Sequence, residues 1–160
     1  VRLTLIRHGE AGDDAPRDEL RSLTLRGRAA VARVARALRR RGGDFTLVVS
    51  SPLVRAVQTA EIVAAGVGYG GRIVVAEGLV PEARVSHLVA WVKAHEEEDS
   101  IALVAHEPIL SSLAGALLGA DRFPALRKGE ALRLRFPEGL AHPGEVRWRI
   151  DPETGSRENP

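Results

Sequence analysis

Arg2-Leu3-Thr4-Leu5-Ile6-Arg7-His8-Gly9 is the stretch that decides the architecture. A short apolar run reads as a strand, and it leads straight into Arg7, His8 and a glycine. The same design recurs twice. Phe45–Ser50 is an apolar run that ends in Ser51-Pro52, and Ile101–Ala105 is one that ends in His106-Glu107-Pro108. Each of these two runs is followed by a helix signal. Ser51 is placed as an N-cap with Pro52 at the first helical position, and Pro108 opens a second helix.

Helical spacing fills the gaps between the strands. Thr24 reads as an N-cap, and Val31, Val34, Ala35 and Leu38 mark one face of a helix that Gly42-Gly43 stops. The helix after Ser51 is expected to reach about Ala64, and the glycines between 66 and 71 break it. Arg72–Ala76 is β-rich, Val85–His95 has helical spacing, and Pro108–Leu118 is a helix closed by Gly119. Glu130–Phe136 and Glu145–Ile150 alternate as strands. Strand–helix alternation of this kind predicts an α/β fold: a three-layer sandwich with a mostly parallel central sheet flanked by helices. One domain is expected over residues 1–150, with 151–160 a polar, flexible tail.

Composition narrows the function classes. With 44% hydrophobic and 28% charged residues the chain reads as an ordinary globular protein. No apolar stretch is long enough to span a bilayer. The chain opens directly into the first strand with no signal-peptide pattern, so a cytoplasmic protein is expected. The absence of cysteine excludes disulfides, thiolate catalysis and cysteine zinc sites. No Asp/Glu/His cluster stands at ligand spacing, so neither a metal nor another cofactor is expected. Net charge is only +2, but 21 of the 23 basic residues are arginine, because lysine occurs only at 93 and 128. Arg33, Arg36, Arg39, Arg40 and Arg41 crowd the end of one helix. There they favour the helix dipole, so nucleic-acid binding is not the expectation.

Ligands of open α/β sheets gather at the carboxyl ends of strands, and helix N-termini favour anions there. Arg7, His8, Arg55 and His106 all fall at such positions, which makes a site for a dianion.

Taken together, Leu5-Ile6-Arg7-His8-Gly9-Glu10, Ser50-Ser51-Pro52 leading to Arg55-Ala56-Val57-Gln58-Thr59-Ala60, and Val104-Ala105-His106 resemble the histidine phosphatase superfamily, whose fold is phosphoglycerate mutase-like. Order and spacing agree over nearly the whole chain. Arg21-Ser22-Leu23-Thr24 with Gly27, the His106-Glu107-Pro108 tripeptide and the compact size look like its small SixA-type phosphohistidine phosphatase branch. The resemblance implies a metal-independent phosphatase with His8 as the nucleophile that takes up the phosphoryl group. Arg7 and Arg55 would fork onto the phosphoryl oxygens, and His106 would be a further donor, cationic once phosphate is bound. Gly9 and Arg21 are expected to add substrate contacts.

One position departs from the wider superfamily. Members that cleave phosphate esters place a carboxylic acid in the loop after the third strand, whereas here Pro81 stands at that position. Glu82 and Glu77 lie nearby as alternative acids. Without an acid, the expected substrate is phosphohistidine in a signalling or phosphotransfer protein, because its imidazole leaves as a neutral base once protonated. The alternative is a small phosphate ester, with Glu82 or Glu77 donating the proton. Binding of phosphate without turnover is a third reading, and the joint presence of His8, Arg7, Arg55 and His106 speaks against it.

Overall fold

Alternation along the strands sorts the core into two layers, as the computed structural model, which describes residues 1–160, makes plain. The elements run β1 (Arg2–Arg7), α1 (Leu25–Arg41), β2 (Leu47–Ser50), α2 (Val54–Val67), β3 (Ile73–Val75), α3 (Val85–Lys93), β4 (Ser100–Ala105), α4 (Ile109–Leu118), β5 (Ala131–Arg135), β6 (Glu145–Ile150) and β7 (Arg157–Glu158). Ile6, Val48, Ala102 and Val104 point to one face, where they meet Val31, Val34 and Leu38 of α1 and Ala56, Ala60 and Val63 of α2. Leu3, Leu5, Ile101 and Leu103 point to the other, beneath Leu88 and Val92 of α3 and Leu110 and Leu113 of α4. Helix pairs on both faces of one sheet make the three layers. Strand β4 is buried at every residue, which is why its sequence is apolar from Ile101 through Ala105.

The sheet order is β3-β2-β4-β1-β5-β6-β7. Pairings from β3 through β1 are parallel, and those from β1 through β7 are antiparallel. Five strands therefore point one way, with β5 and β7 against them. The expected parallel sheet holds for the half that carries the site. Strand β4 returns between β1 and β2, so three neighbouring strands release their chains at one edge.

Local signals account for most boundaries. Thr24 Oγ1 accepts the Gly27 N–H at 2.9 Å, the N-cap bond expected of it. Gly119 closes α4 in the left-handed region at φ 68°. Two expectations change. Helix α2 starts at Val54, not at Ser51-Pro52, because the Ser51 N–H stays on the β4 ladder, bonded to the Val104 carbonyl. The polar tail adds the edge strand β7. Its turn is closed by the Gly155 N–H on the Asp151 carbonyl, and the Arg33 guanidinium holds the Pro152 carbonyl at 2.6 Å. No helix is long and apolar enough to cross a membrane.

Candidate active site

His8 follows β1 directly and is 7% exposed. Its Nδ1 lies 2.7 Å from the Gly9 carbonyl, which can only accept, so Nδ1 carries the proton and Nε2 keeps its lone pair. Burial pushes the pKa of His8 down to about 4, and Arg55, Arg7 and Lys128 add to the effect against the opposing Gly9 bond. The ring is therefore neutral, with one nitrogen held and the other free.

Gly9 does its work through its backbone. Its N–H goes to Thr59 Oγ1 at 3.1 Å, and Thr59 in turn donates to the Arg55 carbonyl at 2.8 Å. A Cβ at Gly9 would stand 2.9 Å from Val31, so only glycine lets α1 approach this closely. Gly9 does not line the pocket and has no N–H left for a ligand, contrary to its expected substrate contact. It orients the His8 ring.

A pocket of about 280 Å³ lies at this sheet edge, lined by Arg7, His8, Arg21, Arg55, His106 and Lys128 among others. Arg7 donates through Nη1 to the Leu126 carbonyl at 2.8 Å. Arg55, 5% exposed, donates to the Asp18 carbonyl at 2.9 Å and to its carboxylate at 3.2 Å. The other Asp18 oxygen accepts from Arg21 Nε at 3.0 Å, so one carboxylate bridges two guanidiniums at the pocket mouth. Five buried polar atoms in the molecule lack a partner, and three of them are Arg7 Nε, Arg55 Nε and His106 Nδ1. All three belong to residues that line the cationic pocket, so hydrogen-bonding capacity is left over around it.

His106 lies beside His8, ring centroids 5.1 Å apart, and its Nε2 is 2.7 Å from Ser51 Oγ. Burial first, then His8 and Arg55, lower its pKa to about 3. Both imidazoles are therefore neutral in the ligand-free protein. The adjoining helix end differs from expectation. The Glu107 carboxylate caps α4, taking the Ser111 N–H at 3.1 Å and its hydroxyl at 2.6 Å, and also accepts from the Leu126 N–H at 3.2 Å. The Leu110 N–H bonds the His106 carbonyl. These donors are spent within the protein. Instead, Glu107 holds the backbone of Leu126, whose carbonyl accepts from Arg7, so it braces Arg7 from behind.

Pro81 lines the pocket, whereas Glu77 and Glu82 are exposed and do not. Glu107 is the one carboxylate that does, and both its oxygens are already acceptors. Sequence reading passed over Lys128, Asp18 and the bracing role of Glu107. Lys128 arrives through register: β5 pairs with β1 with Ile6 opposite Ala131, which puts residues 128 and 129 across from His8 and Gly9. The Gly129 N–H bonds the carbonyls of both Arg7 and His8 at 3.1 Å. No three His, Asp or Glu side chains gather as a metal would need. A wider depression beside α4, lined by Val85, Ser111, Gly115 and Phe123, has no comparable convergence of charge.

Strand ends that bring guanidiniums and two neutral imidazoles around one pocket define a class, proteins that handle a phosphoryl group. Comparison with known proteins makes this specific. Residues 3–80 match the family model of the histidine phosphatase superfamily (branch 1). An uncharacterized protein of Picosynechococcus sp. is 36% identical over 121 residues, covering 73% of each chain. The phosphohistidine phosphatase SixA of Escherichia coli is 25% identical over 154 residues, covering 95% of this chain and 94% of the relative. Among solved structures, that of the protein histidine phosphatase SixA complexed with tungstate superposes with a TM-score of 0.88 at 25% identity, covering 95% of this chain and 97% of that one. The chain belongs to the histidine phosphatase superfamily and is SixA-like within it. Family membership supports a phosphatase, a hydrolase of phosphoryl compounds.

Proposed function

We propose that the protein removes phosphoryl groups from phosphohistidine in a signalling or phosphotransfer protein, through a covalent intermediate on His8 and without a metal. One observation carries this reading: a neutral His8 with a free Nε2 faces a cationic pocket whose loop position holds Pro81 in place of an acid. The Nε2 lone pair attacks phosphorus in line. A P–N bond to His8 forms as the P–N bond to the substrate imidazole breaks, and that imidazole leaves neutral, having been protonated beforehand. Water then attacks phospho-His8, forming a P–O bond, and inorganic phosphate departs as the His8 lone pair returns. Arg7, Arg55 and His106 stabilise the charge that gathers on the phosphoryl oxygens, which is most of what such a transfer requires.

Likeness to a phosphohistidine phosphatase supports the choice of substrate. The deciding experiment measures turnover of a phosphohistidine protein beside a panel of alkyl and aryl phosphate esters. Phosphohistidine and aryl esters are expected to react much faster than alkyl esters. Faster cleavage of alkyl esters than of phosphohistidine overturns the proposal in favour of a phosphomonoesterase.

A further inference from the structure

Helix α1 carries a charge asymmetry that the pocket does not use. It holds Arg26, Arg28, Arg33, Arg36, Arg39, Arg40 and Arg41 and no acidic residue, leaving sixteen basic against twenty-one acidic residues in the rest of the chain. None of the seven guanidiniums stands within ion-pair distance of a carboxylate. Cations near a helix C-terminus answer the dipole, which accounts for Arg39 to Arg41 but not for those further up.

Their placement is ordered. Arg26, Arg33 and Arg40 recur every seven residues and so form one ridge, about 21 Å long at 1.5 Å per residue. Between them lie Ala29, Ala30 and Ala37, which leave the floor low. A depression of about 610 Å³ runs along the first half of the ridge and shares Arg7 and Lys128 with the His8 pocket. A second, of about 380 Å³, continues past Arg40 and Arg41 to Arg157. The far wall is the C-terminal segment from Pro152 to Asn159, tied to Arg33 through the Pro152 carbonyl. The groove thus opens from the His8 pocket at Arg7 and Lys128, and its charged lining is mostly cationic, with Glu10 and Glu153 as the exceptions.

We propose that this groove docks an acidic segment of the phosphorylated partner protein, which presents its phosphohistidine to His8. The proposal rests on the phosphohistidine reading above and adds what the partner must look like. Charge complementarity selects an acidic polypeptide. No aromatic side chain lines either depression for base stacking, and Glu10 and Glu153 interrupt the row of cations that a continuous phosphate backbone would need.

The test uses two synthetic peptides, each with one phosphohistidine, one flanked by glutamates and the other by glutamines. At low ionic strength the wild-type protein is expected to favour the glutamate peptide by about tenfold or more in kcat/KM, as electrostatic steering allows. High salt should erase that preference. The triple variant Arg26→Glu, Arg40→Glu, Arg41→Glu should lose it while hydrolysing p-nitrophenyl phosphate as wild type does, which also shows that it is folded. Equal turnover of both peptides by wild type, or a preference that survives charge reversal, overturns the proposal. If neither phosphopeptide is cleaved although the aryl ester is, the substrate reading has failed separately. The groove is then read by fluorescence anisotropy of the unphosphorylated glutamate peptide. Binding to wild type but not to the triple variant supports the groove, and no binding overturns it. Tighter binding of a single-stranded oligoribonucleotide than of this peptide assigns the face to nucleic acid and also overturns it.

Discussion

Arg55 in the pocket and Arg133 in the antiparallel half of the sheet are both buried guanidiniums, 5% and 4% exposed, in opposite circumstances. Arg133 is satisfied by its own fold. Its Nε donates to Thr4 Oγ1 at 2.6 Å, another nitrogen donates to the Gly42 carbonyl, and the rings of Trp148 and Phe45 lie 5.0 and 5.9 Å away. Burial lowers its pKa to about 10, with Arg2 adding to the shift and Asp44 opposing it, so the charge is kept. Arg55 has an unpartnered Nε, and its other recorded bonds go to Asp18, which lies on the exposed rim. Burial alone therefore does not mark a functional arginine. What sets Arg55 apart is an unpartnered nitrogen on a residue that lines a pocket.

The sharpest way to break this contrast starts beside Arg55, at the group it serves. His8→Ala should abolish turnover, a loss of at least about 10⁴-fold, as expected when a covalent nucleophile is removed. Wild type should yield acid-labile, base-stable phosphate on His8, and the variant none. Wild-type-like turnover by a folded His8→Ala protein would remove the covalent mechanism altogether.

Next come the two arginines themselves, each replaced by methionine. Arg55→Met should lose about 10²–10³-fold in kcat/KM, the usual cost of one donor to a developing oxyanion. Its stability should hold or rise, since a crowded cationic pocket gives up one charge. Arg133→Met should do the reverse. Turnover should be retained while stability drops by about 2–4 kcal/mol, because Thr4 and the Gly42 carbonyl lose a buried donor. Urea denaturation together with steady-state kinetics on both variants checks the pair, and matching losses in both would end the distinction.

Much of this was legible in the chain, for a physical reason. Arg7, His8, Arg55 and His106 sit at or just beyond the ends of apolar strands, or in the first turn of a helix, and sequence shows such ends directly. Thr24 and Gly119 mark helix ends by chemistry that is just as local. Lys128, Asp18 and Glu107 were not legible, because what they do depends on long-range register. Lys128 reaches the pocket only because β5 pairs with β1, and Asp18 meets Arg55 only because its surface turn folds against α2. Glu107 was visible as part of a motif, but its bond to the Leu126 N–H crosses nineteen residues. Helix α2 starting at Val54 fits the same pattern: Ser51, expected to cap it, is drawn away by His106 and the β4 ladder.

The two imidazoles sharpen the comparison through pH. His8 and His106 titrate at about 4 and 3 when folded, against an ordinary value near 6.5. Between those limits the unfolded chain binds more protons than the folded one, so stability is fully present above pH 6.5 and falls as pH drops toward 4. The urea midpoint should decline over that window, and less so in a His8→Asn, His106→Asn double variant. A bound dianion would favour the cationic form of His106, so binding of tungstate, already a dianion near pH 6, should take up protons. Calorimetry in buffers of different ionisation enthalpy measures that uptake. An unchanged proton count would mean that His106 stays neutral beside the ligand.

The smallest expected effect is the most informative about substrate. Glu77 and Glu82 are exposed and outside the pocket, while Pro81 lines it. If the leaving group is an imidazole already carrying its proton, neither carboxylate is asked to donate one. Glu77→Gln and Glu82→Gln should then each change kcat/KM for phosphohistidine by less than about twofold, within the small effects usual for surface substitutions. An alkoxide leaving group is a far stronger base and does need a donor, and losing a general acid costs about 10²–10⁴-fold. Measuring both variants on phosphohistidine and on an alkyl phosphate therefore separates the readings. Indifference on phosphohistidine, with slow alkyl hydrolysis throughout, agrees with a pocket that holds no carboxyl free to donate a proton. A loss of about 10²-fold or more confined to Glu82→Gln, on an alkyl ester that wild type cleaves faster than phosphohistidine, would require the loop to close over the pocket and bring that carboxyl to the leaving oxygen.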